Sequence, residues 1–366
     1  MGNQKSIYRP RLHQFSVICV FATFATILSG GNVTSRGAGL AVPDGFRVFD
    51  HFLWTFPFAK WVGNIFHEHI HRLNGSVIGI LLTVLAIWLC LTQKNRLPLR
   101  MVGLMTLAMV LIQGILGAWR VNMISTFYAV LHGIHGQLIL CMTVLIAAAT
   151  SRWWIKQMNR HDAGEQISEG SRIRGKMMVA MSVLFSVLFI QLILGAMMRH
   201  TGAGLAIPDF PSAYGQLIPP FGKLEIIEAH SGLVAYDEAS EIDYPTPWQV
   251  GVHFAHRVWA LITLAGAGYA LARLAGTFGR QPALIGPMIA LGILLILQGI
   301  LGAAVIWTGR LANIATGHQA TGAAILAVAF LLIVRVWRLT FSVRRGGSAA
   351  CFHPATAHVQ HEVTGL

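Results

Sequence analysis

The sequence predicts an all-α integral membrane protein with eight transmembrane helices arranged as two pseudo-symmetric four-helix bundles. Composition, the spacing of apolar segments and an internal repeat lead to this prediction. Of the 366 residues, 55% are hydrophobic and only 11% are charged, whereas soluble proteins carry about 25% charged residues. Because lipid does not require a charged surface, this composition indicates a membrane protein.

Eight apolar stretches are long enough to cross a bilayer, which takes about 20 residues of helix. Only helices and closed barrels satisfy the backbone in lipid, and the alternation typical of barrel strands is absent. Each stretch is therefore predicted to be a helix. The stretches cover residues 14–34, 70–92, 101–121, 127–150, 177–199, 251–275, 283–307 and 314–338.

The basic residues predict the orientation. Of the 27 Lys and Arg, 18 lie at the termini and in the connections on the same side, and 7 lie on the other side. The positive-inside rule then places both termini in the cytoplasm, with the chain in the cell (inner or plasma) membrane. The net charge of +13 does not indicate nucleic acid, because the basic residues form no single patch. The four cysteines form no CxxC or CxxCH motif, which disfavours covalent haem attachment and a thioredoxin-like site.

An internal repeat divides the chain into two units of four spans. Gly37–Asp44 recurs as Gly202–Asp209, and Gln113–Ala118 recurs as Gln298–Ala303. Four spans return the chain to the same side, so the two halves share one orientation. The predicted organisation is a cytoplasmic N-terminal tail (1–13), an N-terminal half (14–150), a cytoplasmic basic linker (151–176), a C-terminal half (177–340) and a cytoplasmic C-terminal tail (341–366).

Four histidines occupy matched places in the repeat, with His71 and His132 in the first half and His256 and His318 in the second. Two facing imidazoles across a helix bundle are typical of bis-histidine haem ligation. The alternative is that each histidine only bonds a carbonyl of a neighbouring helix. Zinc is disfavoured, because no third ligand lies at a suitable spacing. His135 is a competing ligand one turn after His132, although the repeat favours His132.

The residues beside these histidines differ between the halves. Glu68 lies one turn before His71, whereas His253 holds the corresponding position before His256. This asymmetry indicates chemistry in the first half and a permanent haem in the second, unless Glu68 is only an interfacial carboxylate paired with Arg72. Arg72 and Arg257 suit haem propionates, with snorkelling to lipid head groups as the alternative.

Several motifs together resemble the haem A synthase family across residues 14–340. They are the segments Thr34–Leu40, Glu68–Arg72 and His253–Arg257, and the doubled Gln-Gly-x-x-Gly-Ala. The resemblance implies eight spans in two similar halves. It also implies conversion of haem O to haem A for terminal oxidases, by successive hydroxylations of a ring methyl group and loss of water to leave a formyl group.

The resemblance implies a role for each matched residue. His256 and His318 would ligate a resident haem b as cofactor, and His71 and His132 would flank the substrate haem O. Glu68 would be the catalytic acid or base. A haem O synthase, an oxidase assembly factor and further copies of this chain are candidate partners. The chain departs from the family by having no cysteine in the loops 35–66 and 200–250, and by the sequence of residues 41–46.

Two other functions fit parts of the pattern. A non-enzymatic dihaem b cytochrome would also need four histidines and would hold two permanent haems. A transporter with parallel repeats would need polar residues at mid-membrane, and the spans contain few. The asymmetry between Glu68 and His253 favours the enzyme.

Overall fold

The computed structural model describes residues 7–162, 171–233, 244–279 and 281–341. Several segments considered above lie outside the described residues. These are residues 1–6 of the N-terminal tail, 163–170 of the basic linker, 234–243 of the second outer loop, and 342–366 of the C-terminal tail.

The described residues form ten α-helices and three short 3₁₀ turns, and they contain no β-strand. Eight of the helices are long and apolar enough to cross a membrane, which confirms the predicted number of spans. These eight are α1 (Pro10–Ser35), α2 (Gly63–Thr92), α3 (Leu97–Asn122), α4 (Thr126–Thr150), α6 (Ser171–His200), α8 (Pro247–Phe278), α9 (Pro282–Trp307) and α10 (Ala312–Phe341). The two shorter helices are α5 (Arg152–Asp162) and α7 (Lys223–Leu233).

All eight membrane helices begin before the predicted apolar stretches, with the largest difference at α2. α2 starts at Gly63 rather than near residue 70, so Glu68 and His69 lie within the helix and not in an interfacial loop. α8 starts at Pro247, where Thr246 and Gln249 form a reciprocal capping box. Hydropathy detects only the apolar part of such helices. The polar first turns are stabilised instead by caps and by contacts with the outer loops.

The membrane helices pack mainly against their neighbours in sequence. α1–α4 each contact the next helix, and α4 returns to α1; α6, α8, α9 and α10 are connected in the same way. α1, α4, α6 and α10 also contact one another across the middle of the molecule. We interpret these contacts as two four-helix units. There are two main apolar clusters, one with Leu12, Leu82 and Ile146 and the other with Met181, Leu274 and Leu332. Each also takes in a residue of the other half, Val334 in the first cluster and Cys141 in the second.

The repeated Gly-Ala-Gly-Leu-Ala segments turn the chain back after α1 and α6. Gly37 and Gly202 both have positive φ angles, of 65° and 73°, a conformation that ends helices and favours glycine. The segments that follow cover the outer ends of α2 and α8. Val42, Val48 and Phe56 form a small buried cluster in the first loop, and Ala203, Ile207 and Tyr214 belong to a cluster in the second.

Candidate functional site

The four matched histidines come together in two pairs. His71 on α2 faces His132 on α4, with 6.3 Å between ring centroids and the ring planes nearly perpendicular. His256 on α8 and His318 on α10 are close enough for electrostatic interaction. In the first half, α2 and α4 thus present two imidazoles to each other, and α8 and α10 carry the matching histidines of the second half.

Each of these histidines packs against a glycine of an adjacent helix. A Cβ atom added to Gly30 would lie 2.8 Å from Cε1 of His71. Added to Gly117, Gly195 or Gly302, it would lie 3.1 Å from Cε1 of the corresponding histidine. Gly117 and Gly302 belong to the repeated Gln-Gly-x-x-Gly-Ala motif. Sequence reasoning missed Gly30 and Gly195, although they lie 165 residues apart, the same offset as the loop repeat.

Glutamines fix the orientation of the histidine helices. Nε2 of Gln113 donates to the backbone oxygen of His132 (3.0 Å), and Oε1 of Gln113 lies 2.8 Å from Nδ1 of His135. His135 is therefore engaged by Gln113, while His132 faces His71. In the second half, Nε2 of Gln191 donates to the backbone oxygen of His256 (3.2 Å). Gln191 was not predicted, because its position in the first half is held by Thr26.

The residues present fit a haem in each half. Nδ1 of His132 and Nδ1 of His318 are buried, and neither has a hydrogen-bond partner among the described residues. At each glycine contact, a larger side chain would press against the imidazole. Within the described part of the chain, no three His, Cys, Asp or Glu side chains gather as a metal-ion site. Two opposed imidazoles suit haem iron, which takes axial ligands from the protein.

Glu68 connects α2 to the first outer loop. It is 4% exposed, and its Oε2 accepts a hydrogen bond from the backbone N–H of Val42 (2.9 Å). Its Oε1 pairs with Nη2 of Arg72 at 2.6 Å. Arg72 also donates to the backbone oxygens of Val42, Asp44 and Arg47. Glu68 and Arg72 thus hold the loop against α2 in this structure. From the sequence, Glu68 was expected to transfer protons and Arg72 to bind a propionate.

His253 has the same place in the second half. Its Nδ1 accepts from the backbone N–H of Ile207 (3.2 Å), and its Nε2 lies 3.1 Å from Nε of Arg257. Arg257 donates to the backbone oxygens of Ile207, Asp209 and Ser212. Val42 and Ile207 correspond in the repeat, so a carboxylate and an imidazole perform the same anchoring in the two halves.

The second loop is organised around Asp209. Its carboxylate accepts hydrogen bonds from the backbone N–H groups of Tyr214 (2.7 Å) and Gly215 (2.8 Å), and from Oγ of Ser212 (2.6 Å). Burial acts to raise the pKa of Asp209, but these hydrogen bonds outweigh it and hold the pKa below its usual value. Burial, with the nearby Asp209 charge, raises the pKa of Tyr214 to about 12.

Comparison with known proteins shows what this chain is similar to. Residues 50–330 match the sequence model of the COX15-CtaA family, described as cytochrome oxidase assembly protein. A haem A synthase of Rhizorhabdus wittichii is 29% identical over 274 residues, which cover 72% of this chain and 69% of that protein. A haem A synthase of Listeria welshimeri is 23% identical over 256 residues, covering 69% and 72%. One of Alkalihalophilus pseudofirmus is 23% identical over 212 residues, covering 57% and 66%.

The family match spans most of the chain, including all four paired histidines, Glu68 and the second copy of the repeated loop. It agrees with the resemblance inferred from the motifs. The chain belongs to the COX15-CtaA family of cytochrome oxidase assembly proteins, with haem A synthases among its relatives.

Proposed function

We propose that this protein is a haem A synthase, an oxidoreductase that converts a methyl group of haem O to the formyl group of haem A. The observation that carries the proposal is the asymmetry between two otherwise matched sites. Each half has a matched pair of histidines, but among the described residues only the first half has a buried carboxylate one turn before one of them. An electron carrier with two equivalent haems would not need that difference.

His256 and His318 would hold haem b as the resident cofactor, which supplies one-electron transfer when bound. His71 and His132 would hold the substrate haem O by its iron. The glycine contacts fix each imidazole ring against its neighbour helix, so the substrate ring would be fixed in depth and tilt. If the haem ring does not move, the same methyl group stays beside the same protein groups. Successive oxidations of a single carbon require this.

Glu68 is the proposed catalytic proton acceptor in the first half. Its position one turn before His71 supports a location at the outer edge of the proposed substrate site. Paired with Arg72, the carboxylate is an anion, the form that accepts a proton. Proton transfer would occur at Oε1 or Oε2, each of which already has one hydrogen-bond donor in the structure.

The cellular setting follows from the same proposal. The chain would lie in the cell membrane with both termini in the cytoplasm, as the distribution of Lys and Arg predicts. A haem O synthase would supply the substrate, and an oxidase assembly factor would receive the product.

The test uses a host that makes haem O but no haem A. The full chain is expressed there, and the membrane haems are extracted and separated by chromatography with mass detection. The wild type is expected to produce haem A. If the purified protein contains two haem b per chain and leaves haem O unchanged, the result would contradict the enzyme proposal and support the dihaem electron carrier.

Two substitutions in that assay separate the roles of Glu68. Glu68→Gln keeps an oxygen acceptor for the Val42 N–H but removes the negative charge, whereas Glu68→Ala removes both. If Glu68 transfers protons, both variants should stop at haem O or a hydroxylated intermediate. If Glu68 only anchors the loop, Glu68→Gln should retain most of the haem A yield.

A further inference from the structure

Arg120, near the end of α3, is a cation without a counterion of its own. The nearest carboxylate, Glu68, forms a salt bridge with Arg72. Glu68 is also within electrostatic range of Arg120, but its two oxygens are occupied by Arg72 and Val42. Since a charge removed from water is normally paired, a partly buried arginine with no carboxylate indicates a site for an anion.

The position of Arg120 places it at the rim of the first histidine pair. It lies one helical turn after Gly117, the glycine that packs against His132. Its charge is within electrostatic range of both His71 and His132. Its guanidinium also reaches the first outer loop, where a Cβ atom on Gly39 would collide with Nη2. Arg120 therefore stands between the paired imidazoles and the loop that covers them.

The hydrogen bonds distinguish Arg120 from the two arginines expected at propionates. Arg72 and Arg257 each donate to three loop carbonyls as well as to the residue one turn before them. Within the described part of the chain, Arg120 makes one hydrogen bond, a long one of 3.4 Å to the oxygen of Gly39. A guanidinium has five N–H donors, so Arg120 retains the capacity for a bidentate contact with a carboxylate.

The second half has no arginine at the matching position of the repeated motif, although Arg310 packs against Gly204, the counterpart of Gly39. Arg120 lies three positions after Gly117. In the second half, the residue three positions after Gly302 is Val305. The difference lies in the same half as Glu68, where the proposed substrate binds. A residue that recognises a group on the substrate is expected in that half alone.

We propose that Arg120 binds a propionate carboxylate of the haem held by His71 and His132, and so orients the substrate ring in the first half. This inference rests on the proposed function. A haem ligated only through its iron can rotate about the axis between its two ligands. A charged contact at one edge removes that freedom and selects which methyl group faces Glu68.

The test compares binding of haem O with binding of its propionate dimethyl ester, which lacks the negative charges. Purified full-length protein in lipid nanodiscs is titrated with each compound, and the dissociation constant is read from the haem absorbance. The wild type should bind haem O about tenfold to hundredfold more tightly than the ester, as expected for one charged hydrogen-bonded contact. Arg120→Gln should lose this preference by weakening haem O binding while leaving ester binding unchanged.

Two further variants make the result specific. Arg120→Lys keeps the charge without the bidentate geometry and should restore part of the preference. Arg310→Gln removes an exposed arginine of the same outer side and should keep the wild-type preference. Elution of each variant as a single species in size-exclusion chromatography reports folding.

The outcomes separate this inference from the proposed function. If the wild type converts haem O but Arg120→Gln still prefers the free acid, Arg120 does not contact a propionate, and the enzyme proposal stands. An equal loss of preference in Arg310→Gln would also overturn the inference, since the effect would then be general charge. A wild type that binds neither compound would contradict both proposals.

Discussion

At the scale of single residues, glycines determine how closely the helices approach the histidines. There are four such contacts, two in each half. Each glycine belongs to a different helix from the histidine it contacts. Gly299 and Gly302 lie one turn apart on α9, yet only Gly302 meets a histidine. This pair offers a matched comparison within one motif.

Gly302→Ala is expected to change the environment of the haem held by His318. Its methyl group would lie 3.1 Å from Cε1 of His318, so the ring must shift by a few tenths of an ångström. Alanine favours a helix over glycine by roughly 0.5–1 kcal/mol, so the change should not arise from a weaker helix. Electron paramagnetic resonance of the purified protein should show altered low-spin haem signals.

Gly299→Ala is the control for that measurement. A Cβ atom at Gly299 has no neighbour within 4 Å, so the spectrum should match the wild type. Identical spectra for Gly302→Ala and the wild type would contradict the role of the glycine contact.

At the scale of elements, α2 and α8 hold the outer loops through arginines one turn after Glu68 and His253. The loops have few apolar contacts of their own beyond small clusters. Charge-assisted hydrogen bonds to backbone oxygens therefore contribute much of their order. The sequence predicted that these arginines contact haem propionates. In the structure, their guanidinium N–H groups donate hydrogen bonds to backbone carbonyls of the loops.

Arg257→Gln should loosen the loop after α6. It removes donors to three backbone oxygens, each charged hydrogen bond contributing about 1.5–3 kcal/mol. Amide hydrogen exchange in residues 203–216 should be faster by about tenfold or more. Arg273→Gln, at an exposed position on the same helix, should leave exchange there unchanged; an equal acceleration in both variants would rule out the anchoring role.

The same loop should depend on pH through Asp209. The pKa of Asp209 is below its usual value in the folded protein, so its ionised form stabilises the loop at neutral pH. This stabilisation is fully present above the pKa of the unfolded chain, about 4, and is lost as pH falls through the lower folded pKa. The apparent unfolding temperature of the wild type should fall below about pH 4. Asp209→Asn should show a smaller dependence in that range, and an unchanged slope would refute the assignment.

At the scale of the whole molecule, polar contacts near the outer ends join the halves. Arg199 of α6 donates to the backbone oxygen of Gly31 and to Oγ of Ser35 on α1. Ser35 in turn accepts from Oγ1 of Thr316 on α10. These contacts lie near both histidine pairs, since Gly31 follows Gly30 and Thr316 precedes His318 by two residues. Polar contacts between α1, α6 and α10 therefore link the surroundings of the two histidine pairs.

The proposed division of labour between the halves predicts the haem content of the protein. Protein purified from a host that makes haem b but no haem O should contain about one haem b per chain. His318→Ala should remove it, whereas His132→Ala should retain it, because His132 belongs to the substrate site. Pyridine haemochrome analysis gives the stoichiometry. Two haem b per wild-type chain, with one lost in each variant, would favour the electron carrier.

The sequence by itself determined the membrane class, the eight spans and the candidate histidines. These depend on composition, apolar length and a repeat, all of which are local or periodic along the chain. Hydropathy placed the starts of α2 and α8 too late, because polar turns such as Glu68–His69 are helical without being apolar.

The tertiary structure decided which groups meet. It brought Gly30 against His71 and Gly195 against His256. It also engaged His135 with Gln113 and turned Arg72 and Arg257 toward loop carbonyls. It also left Arg120 beside the first histidine pair, with one hydrogen bond from its guanidinium to the described residues. Contacts of this kind depend on how helices distant in sequence pack against each other, and no pattern within one helix specifies that packing.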